Sequence, residues 1–324
     1  MEKRISGVDS FRCLAFFAVV ALHCLPDGVE SAPSFYNVID LLCRFAVPFY
    51  FVASGYFLAH SRRTAFGDIQ KLFLRLFPVF LGWLLFYNFY FVLVGDWHEP
   101  IYPGLVADSL LSGHRGYHLW FLPALGISGV LLILIRRFHI GFILGLAGLF
   151  YLFELAFGPY KDLLGLPDVP YFSGLTFKAR FGPFMSFPFM TMGYVFAKYN
   201  VRIPSSHALA LAGLGLGISF DESWSLAAAG FRDIPLDAFM GTLMIGGCLF
   251  LYSLNVRGIT FLRGLSPYVL GAYCVHILVL DILERFAGFR GAAWLPTNMV
   301  LVSVLSLVIS YYASAVPGLQ IIFG

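Results

Sequence analysis

The first apolar stretch of the chain contains three ionisable residues, Asp9, Arg12 and His23. Arg12 follows Asp9 by three residues, and His23 follows Arg12 by eleven. Eleven residues make about three helical turns, which places Arg12 and His23 on one helix face roughly 16 Å apart along the axis. An imidazole titrates near neutral pH and can accept a proton from a hydroxyl group, so this face could carry acid–base chemistry.

Each of these residues also has a purely structural interpretation. Asp9 could cap the N-terminus of the first helix. Arg12 could anchor that helix at the cytoplasmic side of a membrane, and His23 could be a hydrogen-bonded core histidine. Spacing alone leaves both interpretations open.

Two later apolar stretches combine histidine with aromatic residues. His118 and Trp120 begin the stretch near 117–135, while Tyr273 and His276 lie three residues apart within the stretch near 266–286. Residues three apart share a helix face. An aromatic belt at a membrane surface would explain Trp120, but it would not explain a histidine deep within a span.

Four basic residues, between the second and third apolar stretches and at the start of the third, form a candidate anion site: Arg62, Arg63, Lys71 and Arg75. Guanidinium and ammonium groups bind phosphate through charge-assisted hydrogen bonds. A solvated cytoplasmic loop would show the same charge. The sequence contains no glycine-rich phosphate loop, which argues against an ATP-driven machine.

The composition shows which elements must position these residues. Of 324 residues, 59% are hydrophobic and only 12% are charged, with a mean hydropathy of +0.82. A soluble domain is about 25% charged. Backbone polar groups must be satisfied internally within a bilayer, so long apolar stretches predict helices. We therefore predict an all-α polytopic membrane protein, which excludes disordered, coiled-coil and disulfide-rich secreted classes.

Ten apolar stretches approach the roughly 20 residues that a helix needs to cross a bilayer. Most of the 21 Lys and Arg residues fall in alternate connections, which predicts ten spans with both termini in the cytoplasm. We expect one membrane domain over 1–324, without a fused soluble domain, and five cysteines that act as small buried apolar residues. The predicted spans lie near 10–26, 38–60, 72–94, 117–135, 138–157, 183–198, 206–221, 236–254, 266–286 and 295–317.

Five motifs in this order resemble those of the membrane-bound acyltransferase 3 family, bacterial O-acyltransferases that modify O-antigens, exopolysaccharides and peptidoglycan. The resemblance extends over nearly the whole chain. Pro267 and one additional residue before Tyr273 depart from the family's last motif. The five motifs are Arg12 with His23 after ten intervening residues, Phe51 to Tyr56, Lys71 to Pro78, His118 to Leu122, and Ser266 to His276.

The resemblance implies transfer of an acetyl or other acyl group from cytoplasmic acyl-CoA to a hydroxyl group of a surface or exported glycan. His23 is then the general base, Asp9 orients Arg12, and a covalent acyl-His23 intermediate is an open alternative. The donor-binding candidates are Arg75, Lys71, Arg62, Arg63, Ser54 and Tyr56. The acceptor-binding candidates are His118, Trp120, Tyr273, His276 and Arg44.

The expected partners are acyl-CoA, a polysaccharide or lipid-linked oligosaccharide, and the bilayer of the bacterial cytoplasmic (inner) membrane. We expect neither a nucleic-acid partner nor a metal, and no permanently bound cofactor. The sequence leaves two competing functions open. One is a secondary transporter of a glycan precursor or small solute with an intramembrane His/Arg proton relay. The other is a non-catalytic assembly subunit.

Overall fold

A computed structural model describes residues 4–26, 34–96, 103–167, 178–231 and 234–323. In these residues the regular structure is helical, as predicted. Short 3-10 turns lie at Tyr117–Trp120, Ser266–Tyr268 and Ala292–Trp294. The α-helices are α1 (Ser6–Cys24), α2 (Phe35–Cys43), α3 (Ala46–Ala59), α4 (Ala65–Leu93), α5 (Pro103–Ser112), α6 (Phe121–Ile135), α7 (Ile140–Phe157), α8 (Pro183–Lys198), α9 (Ser205–Ala228), α10 (Met240–Asn255), α11 (Thr260–Leu265), α12 (Val269–Phe286), α13 (Leu295–Ser314) and α14 (Gln320–Phe323).

Seven helical segments in the described ranges are long and apolar enough to cross a membrane. The predicted spans near 183–198, 206–221 and 236–254 also form helices, α8, α9 and α10, but these are not among the seven. The count of ten spans and the cytoplasmic location of both termini stay predictions. The seven segments are Ser6–Cys24, Phe35–Ala59, Ala65–Leu93, Tyr117–Ile135, Ile140–Phe157, Thr260–Phe286 and Ala292–Ser314.

Local signals define several helix ends. The side chain of Thr64 accepts a hydrogen bond from the Gly67 N–H, 3.1 Å away, at the start of α4, and Ser34 caps α2 in the same way. The second predicted span is interrupted, since α2 ends at Cys43 and α3 begins at Ala46. Asp9 does not cap α1, because that helix already begins at Ser6.

Helices α3 and α8 pack with their backbones in contact. A Cβ atom on Gly55 would lie 1.9 Å from the carbonyl oxygen of Met190, and one on Gly193 would lie 1.9 Å from that of Val52. No side chain fits at either position. This pairing fixes the helix that carries Tyr50 and Ser54 against the rest of the bundle.

Candidate active site

A cavity of about 600 Å³ lies within the bundle and is lined by residues of α1, α3, α4, α6 and α12, among others. One end contains Arg4, Arg63, Lys71 and Arg75, which we call the basic mouth. Between the ends, the lining combines apolar residues with Asp9, Arg12, Tyr50 and Ser54. The lining at the other end includes Val19, Phe121 and Tyr273.

The cations of the basic mouth are available to bind an anion. In the part of the chain that the structure describes, none of the four forms an ion pair. The neighbouring carboxylate of Asp68 is already occupied, since Arg136 Nη1 lies 2.7 Å and Ser61 Oγ 2.5 Å from it. A phosphate group would therefore find donors at the mouth without displacing an internal partner.

Arg12 lies on the cavity wall together with Asp9. The Arg12 Nη1 and Asp9 Oδ1 atoms are 3.6 Å apart, and the guanidinium carbon lies 5.2 Å from the centre of the Phe57 ring. Tyr50 donates a hydrogen bond to the backbone carbonyl of Arg12 at 2.5 Å. Asp9 therefore lies beside the Arg12 guanidinium, and its role in orienting Arg12 stays a prediction.

The structure separates the donor-binding candidates into two groups. Ser54, Arg63, Lys71 and Arg75 line the cavity. Tyr56 and Arg62 are not lining residues. Tyr56 lies two residues after Ser54, and residues two apart on a helix point to nearly opposite faces. Its ring packs instead on those of His60 and Phe250, with centroids 4.8 and 5.1 Å apart. Arg62 is exposed.

Three histidines from distant parts of the sequence meet beyond the inner end of the cavity. The ring centroids of His23 and His276 are 5.1 Å apart, those of His118 and His276 are 4.9 Å apart, and those of His23 and His118 are 6.5 Å apart. We call these residues the histidine cluster. His23 is partly exposed, whereas His118 and His276 are buried. In the described chain, no group of His, Cys, Asp and Glu residues is arranged to hold a metal ion.

Backbone carbonyls fix the tautomer of two histidines in the cluster, His118 and His276. The Nε2 atom of His118 lies 3.1 Å from the carbonyl oxygen of Cys274, and His276 Nδ1 hydrogen-bonds to the carbonyl of Tyr273. Since a carbonyl only accepts, these nitrogens carry the hydrogen when the rings are neutral. The opposite nitrogens, His118 Nδ1 and His276 Nε2, are then buried acceptors, and neither has a hydrogen-bond partner in the described residues.

Tyr273 separates the cavity from the histidine cluster. Its side chain lines the cavity, its hydroxyl donates to the backbone carbonyl of His118, and its ring centroid lies 5.7 Å from that of His276. His23 does not line the cavity. It lies one helical turn beyond Val19, which does, so about 6 Å of helix separates them.

A charged network lies near the histidine cluster and includes Arg44. The Arg44 side chain bonds to Asp40 at 2.5 Å and to Asp237 at 2.6 Å. Arg180 bonds to the other oxygen of Asp237, and its guanidinium carbon lies 5.8 Å from the Trp120 ring centre. Burial alone would raise the pKa of Asp237, but Arg180 and Arg44 outweigh it, so the pKa lies below its ordinary value.

Sequence reasoning missed three charged residues of this region: Arg180, Asp237 and Glu154. Arg180 lies outside the predicted spans, and Asp237 lies at the start of the predicted span near 236–254 but before α10, so no helical spacing relates either residue to other candidates. Glu154 offered a usable signal, because it is an acidic residue within the apolar helix α7. It is buried, and its Oε2 atom has no hydrogen-bond partner among the described residues.

We expect Asp237→Asn to destabilise the protein by about 3 kcal/mol, because removing the charge of a buried, paired carboxylate leaves Arg44 and Arg180 under-compensated. A carboxylate with a lowered pKa stabilises the fold above its unfolded pKa of about 3.9, and this contribution disappears as the pH falls through the folded value. Thermal unfolding in lipid nanodiscs should therefore show a larger difference from wild type at pH 7 than at pH 3.

The matched control for this substitution is Asp162→Asn, at an exposed position after α7. It should leave the unfolding temperature unchanged at both pH values. Equal unfolding temperatures for Asp237→Asn and wild type at neutral pH would contradict the assigned role of the network.

The fold and the site define a multi-pass membrane protein in which a cavity with a basic mouth leads toward a histidine cluster. The chain belongs to the acyltransferase domain family of type 3, whose match extends over residues 5–315. This confirms the resemblance and supports a membrane acyltransferase.

Curated relatives include two proteins from enterococci. An amino-acid racemase of Enterococcus faecalis is 27% identical over 307 residues, which cover 89% of this chain and 43% of the relative. A serine/alanine racemase of Enterococcus gallinarum is 31% identical over 213 residues, which cover 60% of this chain and 30% of the relative. The matched region thus spans less than half the length of each relative. No solved structure matches the chain.

Proposed function

We propose that the protein transfers an acetyl or other acyl group from cytoplasmic acyl-CoA to a hydroxyl group of a surface or exported glycan. Membership of the acyltransferase family supports acyl transfer. The observation that carries the proposal is the cavity itself. It connects unpaired cations at one end with Tyr273 at the other, and Tyr273 touches the histidine cluster.

The basic mouth suits the phosphates of coenzyme A. Lys71, Arg75 and Arg63 would hold them, and Arg12 would lie along the arm that carries the thioester. This arm would extend through the middle of the cavity, beside Ser54, until the thioester faces Tyr273. Movement of the Tyr273 side chain would then bring the thioester to His23.

His23 would act as the general base at the histidine cluster. It takes the proton of the acceptor hydroxyl as the oxygen attacks the thioester carbonyl carbon, and the tetrahedral intermediate then collapses with cleavage of the C–S bond. The proton passes to the departing thiolate of coenzyme A. The acceptor nitrogens His118 Nδ1 and His276 Nε2 would receive hydrogen bonds from hydroxyl groups of the glycan.

Two other candidate residues would contact the acceptor less directly. Trp120 offers a ring of the kind that stacks on sugars, although Arg180 lies over it. Arg44 forms ion pairs with Asp40 and Asp237, so we propose that it holds the charged network beside the histidine cluster in place.

The racemase names of the relatives do not change this proposal. Those proteins are more than twice as long as the region that they share with this chain. The proposal therefore relies on the family of the shared region. Formation of D-serine or D-alanine from the L-enantiomers by the purified chain would favour a racemase activity instead.

The basic mouth provides the test. We expect Arg75→Ala and Lys71→Ala each to raise the KM for acetyl-CoA about tenfold with a smaller change in kcat, since a hydrogen bond to a charged group contributes about 1.5–3 kcal/mol. The assay follows labelled acetyl from acetyl-CoA into glycans of wild-type membranes, with the purified protein in lipid vesicles.

Arg62→Ala is the matched control for these two variants. Arg62 has the same charge and neighbours Arg63, but it does not line the cavity, so its KM should stay within twofold of wild type. An unchanged KM in both Arg75→Ala and Lys71→Ala would rule out the phosphate contacts. Absence of any label transfer by wild type would contradict the proposed function as a whole.

A further inference from the structure

A second cavity of about 600 Å³ is lined by residues of α4, α5 and α6. Its lining consists entirely of apolar side chains, glycine and proline. Three lining residues, Phe73, Phe77 and Leu134, are between 40% and 58% exposed, so the cavity opens at the surface of the bundle. Since α4 and α6 belong to segments able to cross a membrane, we expect the opening to face hydrocarbon. We call this cavity the lateral groove.

We call the cavity with the basic mouth the central cavity. It shares three lining residues with the lateral groove, namely Leu72, Leu76 and Leu122. We call these residues the leucine wall. At this wall a single layer of side chains separates the path of the thioester from the lateral groove.

Glycines on α6 allow the leucine wall to pack closely. A Cβ atom on Gly129 would lie 2.6 Å from Leu72 Cδ2, and one on Gly126 would lie 3.9 Å from Leu76 Cδ1. Leu76 and Leu122 are 8% and 1% exposed. The wall is therefore closed, and it is closed by leucine side chains rather than by backbone.

We infer that the leucine wall limits the length of the acyl group that the donor can carry, and that the lateral groove is a hydrocarbon-chain site which the wall keeps from the donor. This inference rests on the proposed function, since it assumes an acyl thioester in the central cavity. An acyl group that faces Val19, Phe121 and Tyr273 has little room to extend forward. The neighbouring apolar volume in the described residues is the groove behind Leu76 and Leu122.

The wall therefore favours acetyl and other short acyl groups. Alanine at position 76 or 122 would remove the branched end of the leucine and connect the two cavities. A longer chain could then bend sideways into the lateral groove, where it buries its methylene groups among apolar side chains.

The experiment compares octanoyl-CoA with acetyl-CoA in wild type, Leu76→Ala and Leu122→Ala. The ratio of their kcat/KM values should rise at least tenfold in both variants. One control deletes the same atoms elsewhere. Leu131→Ala changes only the lateral groove and should leave the ratio within threefold of wild type.

Either of two results would overturn the inference: wild-type use of octanoyl-CoA as efficient as that of acetyl-CoA, or an unchanged ratio in both wall variants. If an alanine variant fails to fold, Leu76→Val and Leu122→Val replace it, with an expected rise of about threefold.

Failure of the proposed function is detected separately, because wild type would then transfer neither acyl group. Competition binding still tests the wall in that case. The dissociation constant of octanoyl-CoA, relative to that of unacylated coenzyme A, should fall at least tenfold in Leu76→Ala. An unchanged relative affinity would overturn the inference without any turnover.

Discussion

Replacement of His23 with alanine is expected to lower acyl transfer at least 100-fold, because a positioned general base contributes about 10²–10⁴ to the rate. The KM for acetyl-CoA should change little, since His23 does not line the cavity in which we propose that the donor binds. Free imidazole added to the variant should restore part of the activity, which a merely structural histidine would not show.

The control for this substitution is His207→Ala, an exposed histidine at the start of α9, whose activity should equal that of wild type. Both variants must show wild-type thermal unfolding. Retention of more than a tenth of the activity by folded His23→Ala would remove His23 from the chemistry.

The same variant separates the two chemical routes. Labelled acetyl-CoA without an acceptor should leave wild type unlabelled if His23 is a base alone. Stable label on wild type that is absent from His23→Ala would instead establish an acyl-His23 intermediate.

Gly55→Ala is expected to have the largest effect on folding. The new methyl group would lie 1.9 Å from the carbonyl oxygen of Met190, which belongs to backbone and cannot rotate away. Helices α3 and α8 would have to separate. Overpacked cores typically lose about 1–3 kcal/mol of folding stability, and we expect a larger loss here. We expect most of the protein to be lost from the monodisperse fraction in size-exclusion chromatography.

Gly145→Ala provides the contrast. Gly145 lies within α7 with no atom within 4 Å of its Cβ position, so the substitution should be neutral or stabilise the helix by up to about 1 kcal/mol. Equal yields of folded Gly55→Ala and Gly145→Ala would contradict the close approach of α3 and α8.

Hydropathy and backbone hydrogen bonding were sufficient to predict the class of fold. Each apolar stretch predicted from hydropathy contains a helix in the structure. Hydropathy did not predict the interruption between α2 and α3, because the apolar pattern continues through Phe45. Arg44 lies at this interruption, and its partner Asp237 lies 193 residues away. Hydropathy within one segment carries no information about such a partner.

The candidate site was predictable to the extent that helical spacing could define it. Spacing placed Arg12 and His23 on one face of α1, and the family motifs added His118 and His276. The contact among the three rings depends on how α1, α12 and the 3-10 turn at Tyr117–Trp120 pack together. No pattern in a single sequence encodes that packing, and the same limit applies to the leucine wall.

The hydroxyl of Tyr273, bonded to the backbone of His118, has a consequence for the cell as well as for the reaction. Under the proposed function, an aqueous opening through the protein would dissipate an ion gradient across the bilayer. With this hydrogen bond intact, Tyr273 lies between the cavity lining and the histidine cluster. If the bond breaks only while donor and acceptor occupy the two sides, leakage of protons during turnover would be small.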